Sequence, residues 1–358
     1  MIKGVAMEHF IANITDLNKQ EMGIFLTEIF NNSKETAERF FQIIKYVTET
    51  KDNKLKELFK NYLNPNWFEE QIAKTTAISE EQFNINIELF QKILNTIPQT
   101  LEEMLKNTEI AKKQTLEFRE VMKAGWKAPV QTDQMSGVPI PPIHKNVEPN
   151  QEIVSLPEVD DSIIVNRDIF YCIKNRVSRR KFSDSNIPLK ALSYLLWATQ
   201  GVTQVMFEGK MTKRVSPSGG SRHPFETYLA VNHVDDIKEG VYRYLSLEHK
   251  LVYLFDTENR KEKVSQAALG QDFVGNSAVT FIWTVIPYRC EWRYMLESKK
   301  IILQDSGHLC QNLYLACESL GLGTCAIGAY DQMLFDNFLQ LDGVDEFTIY
   351  AAPVGRIM

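Results

Sequence analysis

No run of apolar residues in this 358-residue chain approaches the ~20 that a membrane-crossing helix needs, so no such helix is expected. Positive charge is not in excess. Forty Lys and Arg stand against 46 Asp and Glu, a net charge of -6, which gives no reason to expect nucleic acid or an anionic membrane as a partner. Cysteines number five, an odd count without a CxxC pair, which argues against a disulfide framework and a zinc knuckle. They read as reduced thiols of a cytoplasmic protein. Cys310 and Cys317, at helical spacing in an apolar stretch, read as core packing. The first residues, MIKGVAMEHFIANITD, hold one lysine and no apolar block followed by small residues, so no secretory signal is expected. No GxGxxG follows a strand pattern, so a Rossmann dinucleotide site is not indicated.

What remains is a globular composition, 44% hydrophobic and 24% charged, long enough for two domains or for one with a large extension. Residues 1–127 read as an all-helical domain. Ser79-Glu-Glu-Gln82 is a capping box, with Ile78 and Phe83 placed as its hydrophobic staple. Phe83, Ile87, Phe90 and Leu94 follow at helical spacing, and Thr36 to Val47 carries a similar stripe. Thr100 opens a further helix after Pro98, with Gly125 as its stop. Residues 128–160 read as a linker. Pro129, Pro139, Pro141, Pro142, Pro149 and Pro157 exclude helix and favour extended chain. Such a segment is either a surface crossing between domains or an arm around a partner subunit.

Residues 161–358 change texture. Pro188 to Gln200 is an amphipathic helix stopped by Gly201, and Phe225 to Val234 is a strand. Gly240 to Leu254 alternates like a hairpin, and Ser277 to Ile286 is a buried strand. Leu303 to Leu320 is an apolar helix capped by Gly321, and Glu346 to Val354 is a last strand. This is an α+β pattern.

Three separated segments share one theme, the ability to hold a planar, phosphate-bearing ligand. In RVSRRKF, Arg176 and Arg180 flank Ser178, and guanidinium forks donate paired hydrogen bonds to a phosphate. Alone, the run reads equally as a solvated basic surface. In PSGGSRHP, from Pro217, two glycines let backbone approach a ligand, and Ser218 and Ser221 add hydroxyls. Alone, it reads as a loop before a strand. In GLGTCAIGAY, from Gly321, Gly328 offers a backbone N–H free of side-chain obstruction. Alone, it reads as a helix-to-strand connection.

In this order, with PLKALSYLLWATQGVTQ, GVYRY, DSGHLCQNLYLACESL and the closing VG, the segments resemble the nitroreductase superfamily of FMN enzymes. Within it they look most like the SagB-type dehydrogenases, thiazoline and oxazoline oxidases of peptide natural-product pathways. The resemblance runs from near Asn175 to the end and does not reach the helical domain. It implies a nitroreductase-like FMN-binding fold, a central, mostly antiparallel sheet flanked by helices. It further implies that Arg176, Ser178 and Arg180 anchor the flavin phosphate and ring-edge atoms. Pro217, Ser218, Gly219 and Ser221 match the loop that packs on the flavin from the second subunit of a homodimer. Ala326, Ile327 and Gly328 match the segment against the isoalloxazine ring, with the Gly328 N–H near flavin N5. Gln271 matches a residue at the pyrimidine edge, and Arg356 is placed to reach the phosphate.

The sequence departs from the SagB type at one place. Where that family has a Lys-Tyr pair, this chain has Arg293-Tyr294. A guanidinium is a poor base. Tyr294 remains a candidate for proton removal, and Arg293 for holding a substrate carboxylate or carbonyl, unless it simply pairs with Glu291 or Glu297. His308 reads as structural, and His223 as a residue orienting the glycine loop. Asp305 is expected at the start of its helix. The implied activity is azoline oxidation on a peptide or small-molecule substrate, with cyclodehydratase-type partner proteins. A NAD(P)H-dependent reductase of nitro, quinone or dehydroamino-acid substrates is the alternative, and a scaffold subunit of a peptide-modifying complex is a third.

Overall fold

The computed structural model describes residues 107, 110–126 and 130–358. The chain divides into two compact units, Met1–Leu116 and Glu117–Met358. The helices expected at Thr36 to Val47 and behind Ser79, and the start expected at Thr100, lie outside the described residues. Residues 110–118 are helical and run into a 3-10 turn, Arg119–Met122, short of Gly125. Among the described residues no helix is long and apolar enough to cross a membrane.

The second unit opens with strand β1 (Ile153–Ser155), helices α1 (Ile169–Asn175) and α2 (Leu189–Gln200), and a hairpin of β2 (Val202–Met206) and β3 (Met211–Arg214). Strands β4 (Phe225–Val231), β5 (Gly240–Leu245) and β6 (Lys250–Phe255) follow. Next come helices α3 (Arg260–Ala267) and α4 (Asp272–Gly275), strand β7 (Val279–Val285), and helices α5 (Tyr288–Tyr294) and α6 (Ser298–Leu320). Strand β8 (Leu322–Thr324), helix α7 (Gln332–Phe338) and strand β9 (Phe347–Arg356) complete it. Seven strands form one sheet in the order β1-β6-β5-β4-β7-β9-β8, with every neighbouring pair antiparallel.

The sheet is covered on both faces, which explains why β4 and β7 are buried along their whole length. Successive side chains of a strand point to opposite faces. Leu229, Phe281 and Trp283 accordingly join the core with Leu192 and Leu196 of α2 and Leu313 of α6. Tyr228, Ala230 and Ile282 join the opposite core with Val264 of α3 and Phe335 of α7. Trp283 and Phe281 are fully buried, and truncating either to alanine is expected to cost about 3–5 kcal/mol.

Helix α2 begins after Pro188 and is capped by Gly201, as its pattern predicts. Helix α6 begins five residues before Leu303, because Lys299 and Lys300 continue the backbone ladder outside the apolar stripe. Asp305 is therefore inside the helix and not at its start. Gly321 closes α6 at φ 67°, a left-handed conformation that glycine adopts without a Cβ clash.

The proline-rich segment carries no helix from residue 130 to 157. It lies on the second unit as a strap. Lys145 Nζ donates to Glu346 at 2.5 Å and to Tyr228 Oη at 3.1 Å, and buried Arg243 donates to the Asn146 carbonyl at 2.7 Å. Trp292 of α5 donates its indole N–H to the Val138 carbonyl at 2.9 Å. Beyond the strap, β1 extends the sheet by pairing with β6.

Candidate functional site

The residues singled out from the sequence fall into two groups, both hung on α6. The first gathers the arginine-rich segment and the segment after α6. Backbone pairing brings them together. The Arg179 N–H donates to the Thr324 carbonyl at 2.9 Å, and Phe182 bridges Ile357 just past β9. Tyr314 then ties the side chains. The Ala326 N–H donates to Tyr314 Oη at 2.7 Å, and Ser178 Oγ lies 2.8 Å from the same oxygen. The Arg176 guanidinium sits over the Tyr314 ring, 5.1 Å from its centroid.

Around this knot the chain leaves donors exposed. Ser178 and Arg180 face solvent, and Arg176 is half-buried. In the segment Ala326–Gly328 the first N–H is engaged by Tyr314, and that of Ile327 donates to the Ala351 carbonyl at 2.8 Å. The N–H of Gly328 has no partner among the described residues, and no heavy atom lies within 4 Å of where its Cβ would be. Gln271, at the start of α4, joins this group. Its amide nitrogen donates to the carbonyls of Ala268 at 2.8 Å and Ala329 at 3.1 Å, which leaves its carbonyl oxygen as an acceptor. Arg356 is exposed at the end of β9 beside Leu322, and donates to the Asn186 carbonyl at 2.8 Å.

The second group is the glycine loop. Asp305, buried in α6, accepts the Gly219 N–H through both oxygens at 3.2 Å. Ser218 Oγ accepts the His223 N–H at 2.9 Å, and His308 Nδ1 lies 3.2 Å from the Pro217 carbonyl oxygen. The loop is strained. Gly220, Ser221 and His223 all have positive φ, at 59°, 54° and 43°. Left-handed backbone costs a residue with a Cβ roughly 1–2 kcal/mol, and such strain persists where surrounding structure over-determines it. Here Asp305 and Tyr294 do so. A Cβ on Gly220 would collide with Tyr294 Oη. Tyr294 ends α5, its ring meets the exposed Trp126 edge-on at 5.6 Å, and the Arg293 guanidinium lies 5.3 Å from its centroid. Among the described residues Arg293 makes no ion pair, so the expected alternative of pairing with Glu291 or Glu297 is not realised.

Burial sets the charge states beside this loop. Burial, and then the nearby Arg214, push the His223 imidazole down to about 3, so it is neutral at ordinary pH. Burial raises the Asp305 carboxyl above its usual range, partly offset by hydrogen bonds from Ser218 and Gly219. All five cysteines are buried and unpaired, and burial pushes the Cys290 and Cys310 thiols up to about 12, which leaves them inert as nucleophiles.

No hydrogen bond or ion pair among the described residues joins the two groups. Their anchors on α6, Asp305 and Tyr314, are nine residues apart. That is about 14 Å along the axis and about two and a half turns, so the anchors face opposite sides of the helix. The sequence reading did not single out Tyr314, and it took Asp305 only as a helix-start charge. The available signal was a carboxylate and a phenol on the helix, groups that need a partner when buried.

A family model described as the nitroreductase family matches residues 173–356. MJ1384 of Methanocaldococcus jannaschii, named as a nitroreductase candidate, is 32% identical over 204 residues, covering 57% of this chain and 96% of that protein. The trifolitoxin-processing protein TfxB of Rhizobium leguminosarum bv. trifolii is 28% identical over 152 residues, covering 41% of this chain and 41% of TfxB. Among solved structures, a nitroreductase candidate from Anabaena variabilis aligns with a TM-score of 0.50 at 22% identity, over 59% of this chain and 42% of that one. At that identity the likeness speaks for the fold alone.

Proposed function

Because this chain belongs to the nitroreductase family, we propose that it is an FMN-dependent oxidoreductase that oxidises an azoline ring, or a related unit, in a ribosomally made peptide. One observation carries the cofactor assignment. The Gly328 N–H is unengaged and faces open space, two residues along the chain from Ala326, whose N–H shares the Tyr314 side chain with the Ser178 hydroxyl and the Arg176 guanidinium. The donor set fits FMN. Guanidiniums of Arg176 and Arg180 suit a phosphate monoester, Gln271 has a spare acceptor for a ring-edge N–H, and a glycine admits close approach of a flat ring.

The other group, with Pro217, Ser218, Gly219, Ser221 and Tyr294, hangs on the opposite side of α6. A site using both groups is therefore completed by a second copy of the chain, which supports the homodimer. The peptide substrate rests on TfxB, a protein named for toxin processing, of which the chain spans 41%. Partner enzymes of cyclodehydratase type and a peptide- or partner-binding role for residues 1–127 belong to the same proposal.

When bound, FMN supplies the two-electron redox chemistry. The chain's residues do the rest. Arg176, Arg180 and Arg356 would hold the phosphate end, and Ala326, Ile327 and Gly328 would lie against the ring. Tyr294, as its phenolate, would take the proton from the ring carbon next to the one being oxidised, and Arg293, a cation over the Tyr294 ring, would hold a substrate carbonyl or carboxylate. The same observation favours a second reading. With no lysine beside Tyr294, a reductase drawing on NAD(P)H for a nitro, quinone or dehydroamino-acid substrate needs no base at that position.

Anaerobic mixing of the FMN-loaded protein with an azoline-containing peptide separates the two. Bleaching of the flavin without NADPH supports the oxidase. No bleaching, with steady NADPH consumption on a generic quinone, supports the reductase.

A further inference from the structure

Tyr314 occupies a position from which it controls what Ser178 presents to a ligand. A phenol has one proton to donate and two lone pairs to accept with. At Tyr314 Oη one lone pair is filled by the Ala326 N–H at 2.7 Å. The remaining neighbour is Ser178 Oγ at 2.8 Å, and no other acceptor for the phenolic proton exists among the described residues. Tyr314 is nearly buried, at 8% exposure, so water is not a ready substitute. The phenolic proton therefore goes to Ser178 Oγ. This fixes the direction of the whole chain of bonds, from the Ala326 N–H through Tyr314 to Ser178. The serine's own proton is left over, and Ser178 is exposed, so that proton points outward.

We propose that Tyr314 is a positioning residue that makes the Ser178 hydroxyl an obligatory hydrogen donor and fixes the Arg176 guanidinium beside it. The pair then selects a ligand oxygen that accepts hydrogen bonds, a phosphate or a flavin carbonyl, over one that donates. The same phenol engages the Ala326 N–H, so the donor that the third segment offers is the Gly328 N–H. One side chain thus sets which groups of two sequence segments face the ligand. The inference rests on the FMN reading above.

The test is a double-mutant cycle on FMN affinity, measured by quenching of flavin fluorescence, with the visible flavin spectrum as a second readout. Tyr314→Phe removes the proton donated to Ser178, and Ser178→Ala removes the outward donor. Each is expected to weaken FMN binding by about 3- to 10-fold, the range for a single hydrogen bond. The double variant should be no weaker than the poorer single one, because Tyr314 acts through the Ser178 hydroxyl and has nothing left to orient once that hydroxyl is gone. Tyr314→Phe should also shift the visible bands of the bound flavin, and Ser178→Thr, which keeps the hydroxyl, should bind like the wild type. Ser178 is exposed, so its variants are expected to fold even if Tyr314→Phe does not, and they carry the test alone. Multiplying losses in the double variant, or wild-type affinity and spectrum in either Tyr314→Phe or Ser178→Ala, would overturn the proposal. A wild-type protein that does not bind FMN would overturn the cofactor reading and this proposal together.

Discussion

The carboxylate of Asp305 accepts the Gly219 N–H with both oxygens at 3.2 Å, joining the long helix α6 to the glycine loop. It is a buried carboxyl group that holds a strained loop. Replacing it with alanine leaves the Gly219 N–H without its acceptor, at a cost of about 1–3 kcal/mol. Asp305→Ala is expected to lower the unfolding free energy by that amount in urea denaturation. Since the folded-state pKa is raised, the aspartate favours folding most below its ordinary value near 3.8, and that contribution fades as pH rises through the higher folded value. Asp305→Asn should abolish that part of the pH dependence.

His223 gives the opposite slope. Its folded-state value, about 3, lies below the ordinary 6.5, so the unfolded chain binds the proton more readily. Its stabilising contribution is complete above 6.5 and declines as pH falls towards 3. Denaturation measured across that window should show stability falling with acid, and His223→Gln should flatten the curve. An unchanged curve would mean that the imidazole is protonated in the folded protein.

Gly220 is tested by its collision with Tyr294. Gly220→Ala places a Cβ against the phenolic oxygen at a φ of 59°. It should destabilise the protein by more than the ~1 kcal/mol of left-handed strain alone. Adding Tyr294→Phe removes the oxygen and should restore part of the excess but not the strain, since two ring carbons stay 3.0 and 3.2 Å from the new Cβ. No recovery in the double variant would place the cause elsewhere in the loop.

Gly328 behaves differently. A Cβ there meets no protein atom within 4 Å, and its φ is not in the left-handed region. Gly328→Ala is therefore expected to leave the melting temperature unchanged while weakening FMN binding at least tenfold. Loss of stability, or unaltered FMN affinity, would argue against a ligand in that space.

The α+β core was legible because β4, β7 and α2 carry patterns with a single reading: unbroken apolar strands and a helix between Pro188 and Gly201. The β2–β3 hairpin was not foreseen, since Val202–Met206 is partly exposed and its polar residues give no buried face to read. β1 was hidden in the proline-rich segment, where three residues gain strand geometry only by pairing with β6. In the candidate site, the segments from Arg176, Pro217 and Gly321 were visible as residue types. Their ties were not. Tyr314 reaches Ser178 across 136 positions of sequence, and Asp305 reaches Gly219 across 86, distances over which spacing carries no information.

The account stands most directly on the flavin itself. Purified protein, stripped of ligand and titrated with FMN while flavin fluorescence is followed, should bind one FMN per chain saturably, become yellow, and lose affinity when Arg176 is replaced by alanine. A protein that stays colourless and leaves flavin fluorescence unchanged through the titration would contradict it.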